Sequence, residues 1–331
     1  MIVGAELREW LDDTARQAAA KQAADEFARA WHEGPVHRRF ADALTALSDR
    51  SAERVAEAVC NLFADDGWIG ALVGSLAERM RDNPWFEPPF RFLNSDIQSG
   101  LLVFEHELVS IAAGTTGAAQ LAARKNVTRQ GVSVAFTGYV TILKFVRAGG
   151  ATLSFWEAPE IDEDFNAAEA GRCVRTGARR IGDGETIVVD GRRQSYVIEH
   201  AGANILLVQA NVQPGHAPLS VEYDARTGAF VGCSASDDRA SRVQMMMTLL
   251  RKLDHPEAFA AIAPFLEDPS FFVRWHAMRE LLGIDAGAAY PRLARMAQAD
   301  PHPDARRAAR AVLDRLVVAH PTLGGAATCR A

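Results

Sequence analysis

The chain has 331 residues and is 48% hydrophobic, 24% charged and 8% aromatic, proportions that predict a soluble globular protein with room for two or three domains. No apolar run reaches the roughly 18–20 residues of a membrane span, and the acid at Glu6 predicts that the first residues are not a secretory leader. A net charge of −6 argues against general nucleic-acid binding. Cys60, Cys173, Cys233 and Cys329 are scattered without a CxxC, which excludes a clustered zinc knuckle, argues against a disulfide framework and makes the cytoplasm the expected compartment.

Residues 3–82 carry the helical period. Val3, Leu7, Trp10, Leu11 and Thr14 form one stripe, and alanine-rich helix continues to Phe27 and Trp31 before Gly34-Pro35 stops it. Further helices are expected over 37–47, 52–63 and 68–80. The stretch Asn83-Pro84-Trp85-Phe86-Glu87-Pro88-Pro89-Phe90 cannot be regular helix, because proline lacks the donor and fixes φ. It is expected to be an ordered linker whose aromatics pack on a neighbouring domain.

From about residue 101 the period becomes two. Strands are expected over 101–110, 132–136, 139–147, 151–156, 185–190, 194–200, 204–211, 219–224 and 229–234. Asp190-Gly191 suits a tight hairpin joining 185–189 to 194–200, and Asp224-Ala225-Arg226-Thr227-Gly228 suits a longer one. The acidic stretch 158–169 is expected to be a surface loop. About nine short strands with such punctuation predict a sandwich or small barrel.

After Ser236 the helical period returns, with helices expected through Leu250 and over 256–266, 271–282, 286–298 and 303–318. The charge balance reverses here too, from a net −4 over 95–240 to +2 over 241–320. Asp268-Pro269, Val273, Arg274, Ala277 and Leu281 are matched 32 residues on by Asp300-Pro301, Ala305, Arg306, Ala309 and Leu313. Two copies of this pattern, over about 254–318, resemble short HEAT repeats, helix pairs that stack into an α-solenoid. That resemblance implies a concave surface for a protein or peptide, with Arg274, Trp275 and Arg279 as the expected partner-binding residues. Within the repeats, an Asp at a helix start caps amides and a recurrent Arg links neighbouring turns. Met245-Met246-Met247 is expected to mix core and interface, since consecutive residues point around a helix.

Arg180-Ile181-Gly182-Asp183-Gly184-Glu185, followed by strand, Asp190-Gly191 and strand, resembles the turn-rich half of a cupin, a double-stranded β-helix, over about 101–235. Catalytic members of that family carry an HxH, which this chain lacks. In a regular strand His106 shares a face with Leu102, Phe104 and Leu108, so neighbouring Glu105 and Glu107 cannot join it on one metal. A centre for a divalent transition metal would need His106, His200 and a carboxylate such as Glu222. The chain has no GxSxG, GxxxxGK[ST] or HExxH.

The expected architecture is α+β and multidomain. A helical region with its Pro/aromatic linker spans 1–94, a cupin-like antiparallel β-barrel or sandwich 95–236, a HEAT-like α-solenoid 237–320, and a tail 321–331. The leading expectation is a cytoplasmic protein- or peptide-binding scaffold whose β domain senses a small molecule. The alternative is a cupin-type metal-dependent enzyme, an oxygenase or isomerase, whose helices recruit a peptide or protein substrate. Neither expectation involves a membrane.

Overall fold

The computed structural model describes residues 5–127, 133–162, 164–236 and 238–319. The chain divides into two compact units that do not follow chain order. The first comprises 1–134, 139–157 and 174–216, and the second 135–138, 158–173 and 217–331. Among the described residues, no helix is long and apolar enough to cross a membrane.

The first unit opens with helices α1 (Ala5–Asp12), α2 (Thr14–His32), α3 (Pro35–Thr45), α4 (Ala52–Phe63) and α5 (Gly67–Asp82). The break between α1 and α2 was not expected, since the expected stripe runs on through Thr14, whereas the break at Gly34-Pro35 was. The Asp13 carboxylate accepts from the Arg16 amide at 2.9 Å and caps α2. Pro35 opens α3, where its missing N–H costs nothing. On α4 the buried side chains Val55, Val59, Leu62 and Phe63 lie three or four residues apart and form one core-facing stripe. The Pro/aromatic stretch is ordered, but its rings turn back onto the preceding helices. Trp85 stacks on Trp10 at 5.0 Å, and Phe86 meets Phe27 edge-on at 5.9 Å.

The strands are β1 (Arg91–Asn94), β2 (Gln98–His106), β3 (Val109–Thr116), β4 (Ser133–Phe136), β5 (Val140–Arg147), β6 (Thr152–Glu157), β7 (Val174–Arg180), β8 (Glu185–Asp190), β9 (Gln194–His200), β10 (Ile205–Val212), β11 (Leu219–Asp224) and β12 (Phe230–Ala235). In the first unit an antiparallel sheet runs β1-β2-β3-β10-β5-β8, and a second runs β7-β6-β9. Neither order closes on itself, so the structure shows sheets where a closed barrel was one expectation. Alternation along β5 and β10 makes layers. Ile142, Val208, Ala210 and Val212 join the core under the N-terminal helices. Leu143, Phe145, Ile205 and Leu207 join a second core with Leu153 and Ile198 from the three-stranded sheet.

Several expectations are corrected. Residues 101–110 are not one strand. Glu107-Leu108 is a two-residue turn between β2 and β3, with His106 opposite Val109. A register shift between Leu102 and Phe104 lets Leu102, Val103 and Phe104 all be buried, which simple alternation forbids. The segments 185–190 and 194–200 are strands, but they do not pair with each other. β8 pairs with β5 and β9 with β6, so Asp190-Gly191 carries the chain from one sheet to the other. The Asp190 carboxylate accepts from Arg192, at its amide and its guanidinium, and holds that corner. Strands β1 and β7 are exposed along their whole length and therefore lack the alternation that marks a half-buried strand. Helix α6 (Ala118–Val127) was also not expected. Its first amide donates to the Asn204 side chain, a partner 86 residues away.

In the second unit a small sheet runs β12-β11-β4. The stretch expected to be a surface loop instead sends Ile161, Phe165 and Asn166 inward while Asp162 and Asp164 stay exposed. Tyr223 Oη donates to the Ala170 carbonyl at 2.7 Å. Burial pushes that hydroxyl's pKa up to about 12, so it remains a donor. Gly228, in the expected turn, has φ +69° and passes so close to the chain that an added Cβ would lie 2.4 Å from the Cys173 carbonyl oxygen.

The helices that follow are α7 (Asp238–Lys252), α8 (Ala258–Ile262) with a 3-10 turn Ala263–Glu267, α9 (Phe271–Ile284), α10 (Ala286–Ala299) and α11 (Pro303–Ala319). Val273, Ala277, Met278, Leu281, Leu293 and Ala309 are fully buried in their shared core, and Leu313 packs against it half-buried.

Candidate functional site

His106, His200 and Glu222 lie on three different strands. His106 lies on β2, stacked beside Phe104 at 6.3 Å, and its Nδ1 accepts from the Leu108 amide at 3.2 Å. His200 is exposed at the end of β9, in the other sheet, and Glu222 is exposed on β11 in the second unit. Among the described residues no three His, Cys, Asp or Glu side chains are grouped to hold a metal ion. The space between the two sheets of the first unit is packed with Leu143, Phe145, Leu153 and Ile198 rather than ligating groups.

The repeat motif has a definite geometry. Arg274, buried on α9, commits four of its five guanidinium hydrogens. Nε and Nη2 donate to the Asp300 carboxylate at 2.9 and 2.7 Å, and Nη1 donates to the Asp268 and Pro269 carbonyls, both at 2.9 Å. One repeat on, Arg306 Nη1 donates to the Asp300 and Pro301 carbonyls at 2.6 and 2.8 Å. The recurrent Arg therefore clamps the loop ahead of its own helix, and Arg274 also reaches the next loop. Burial raises the Asp300 carboxyl's pKa, but the bonds from Arg274 and from the His302 amide outweigh it and leave it below the ordinary 3.8. His302 is buried, stacked on Phe271 at 3.5 Å. Its Nδ1 accepts from the Asp304 amide, which assigns the proton to Nε2 for donation to the Phe165 carbonyl at 3.1 Å. Burial lowers its pKa.

Arg274, Trp275 and Arg279 are accordingly not one surface. Arg274 is buried with four of its five guanidinium hydrogens committed within the chain, Trp275 is half-buried against the core, and Arg279 is exposed one turn on. The nearby cleft is lined by Arg274 but by neither Trp275 nor Arg279.

Around the Asp-Pro loops lies a cleft of ≈ 780 Å³. Phe271, Phe272, Met278 and Met296 give it apolar walls, Arg274 and Asp300 sit within its lining, and Arg292, Arg295 and Glu267 add charge. Arg295 pairs with Glu267 at 2.9 Å in an exposed bridge, and Arg292 lies 5.2 Å over the Phe259 ring. Sequence reasoning missed both arginines. The available signal was that they flank the buried stripe Ala289, Leu293 and Met296 on α10.

The family described as HEAT repeats matches residues 232–314. No curated protein matches the chain. Among solved structures, the chain is similar to a cupin domain from Bordetella pertussis Tohama I, at 10% identity over 36% of this chain and 97% of that one, TM-score 0.22. It is also similar to KdgF from Halomonas sp., at 9% identity over 37% and 86%, TM-score 0.22. A sugar phosphate isomerase from a cupin superfamily of Silicibacter pomeroyi matches at 9% identity over 43% and 79%, TM-score 0.23.

Proposed function

We propose that this protein is a cytoplasmic scaffold that binds a peptide or protein segment in the cleft of its C-terminal repeats. The observation that carries this reading is the cleft itself: a concavity of about 780 Å³ at a repeat junction, with a mixed apolar and polar lining that includes Phe271, Phe272, Arg292 and Arg295. A cleft of that size and composition suits a short segment with an apolar side chain seated against Phe271 and Phe272 and a carboxylate against the arginines. The match to HEAT repeats supports the class of activity. Arg274 and Asp300 are positioning residues here, since their polar atoms hold the two loops in place. The helices form a short solenoid, and the sheets of the first unit form a cupin-like sandwich whose packed interior supports rather than reacts.

The test is binding of the full chain to an array of short acidic and basic peptides, repeated with Arg292→Glu/Arg295→Glu. Acidic peptides that bind the native protein should bind the variant at least tenfold more weakly, with an unchanged melting temperature. Equal binding by the folded variant would refute the cleft as the site.

A further inference from the structure

We propose that the free face of α7 receives an amphipathic helix, flanked by acidic residues, from a partner protein. Helix α7 is joined to α9 along one side only. Gln244 donates to the Phe272 carbonyl, Thr248 bonds Glu280 and His276, each at 2.9 Å, and Arg251 pairs with Glu280. Met247, on that same side, is buried. The opposite side carries Met245, Met246, Leu249 and, one turn on, Leu253, which are 64%, 52%, 45% and 67% exposed. Four large apolar side chains at helical spacing on a surface are not scattered exposure; they form a contiguous stripe.

The repeat explains what the stripe is for. Met247 and Leu250 of α7 match Met278 and Leu281 of α9, 31 residues on, as core positions. In that register Met245 and Leu249 correspond to His276 and Glu280, the residues through which α9 receives α7. The stripe is therefore the place through which α7 would receive a helix before it, and the interface continues one already present between α7 and α9. Stacked repeats need a polar outer face on a helix that ends the stack. On α11, Arg307, Arg310, Asp314 and Arg315 supply one, whereas α7 presents methionine and leucine.

Charge and size select the occupant. Arg242 lies within the stripe but is already engaged within the chain, whereas exposed Lys252 borders it and favours acidic side chains on the incoming helix. A stable interface between two globular copies uses roughly 20–30 residues a side. Four apolar side chains on one helix fit a single docked helix, and methionine adapts to such a partner.

The test selects binders from a displayed library of random 16-residue peptides on the full chain and on Leu249→Glu, whose exposed position leaves the fold intact as read by circular dichroism. Peptides enriched on the native protein should carry apolar residues at three- and four-residue spacing with Asp or Glu beside them. They should bind Leu249→Glu at least tenfold more weakly, yet bind Arg292→Glu/Arg295→Glu unchanged, which separates this face from the cleft. Enrichment that is insensitive to Leu249→Glu, or enriched peptides that are basic or lack helical spacing, would overturn the proposal. So would sedimentation showing that the native chain dimerises and Leu249→Glu does not, because the occupant would then be a second copy.

Discussion

Replacing Arg274 by Met tests whether the repeat Arg is a structural clamp. The substitution keeps most of the aliphatic stem but deletes the guanidinium. It leaves the Asp300 carboxylate without the two donors at 2.9 and 2.7 Å, and it strips one donor from each of the Asp268 and Pro269 carbonyls. Arg and Asp side chains are only 9% and 4% exposed, so water cannot readily replace the lost partner. Breaking a buried pair from one side costs about 3–5 kcal/mol. Removing both charges in Arg274→Met/Asp300→Leu should recover a large part of that, because no uncompensated charge remains. Hydrogen exchange of the segment 271–299 in the full chain, read by mass spectrometry, reports this local stability directly. A single-variant loss under ~1 kcal/mol, or a double variant whose loss equals the sum of the two singles, would refute the clamp. The acid limb gives a second readout. Because the folded Asp300 value lies below 3.8, its stabilisation is present above that value and is lost as pH falls through the folded value. Arg274→Met should flatten that limb.

Leu281→Ala, at a fully buried position, should cost about 2–5 kcal/mol, and Leu313→Ala, half-buried at the matching position, clearly less; urea denaturation ranks them. Trp31 Nε1 donates to the Val103 carbonyl at 2.8 Å, whereas the buried Trp68 Nε1 has no hydrogen-bond partner among the described residues. Trp31→Phe should therefore cost about 1 kcal/mol more than Trp68→Phe by the same assay, and the reverse order would contradict the hydrogen-bond assignment. His302 has a folded pKa below 6.5 and is neutral in its site, with Asp304, Asp300 and Arg274 as the neighbouring charges. Its stabilisation is complete above 6.5 and is lost as pH falls through the lower folded value. The melting temperature should drop between pH 7 and pH 5, and His302→Gln should reduce that drop.

Helices were legible in the sequence because their signals are local. Gly34-Pro35 and the spacing of Val55, Val59 and Leu62 act within one or two turns, and so does the Asp-Pro…Arg pattern that matches HEAT repeats. Most strands were legible for the same reason, since Val140–Arg147 and Ile205–Val212 carry a β-rich composition whatever they pair with. Pairing is a different matter. Asp190-Gly191 has the chemistry of a hairpin, yet β8 and β9 go to different sheets, because burying Tyr196 and Ile198 against Phe145 and Leu153 decides their partners. Site geometry lay further still from the sequence. Nothing local says that Arg274 is consumed by Asp300 26 residues away, that His106 and His200 belong to separate sheets, or that Met247 turns inward while Met245 and Met246 do not. Propensity and periodicity act over a few residues and determine which elements form. Burial and charge pairing act between residues far apart in sequence, so only the packed chain decides which side chains are spent on holding it together and which remain free to bind.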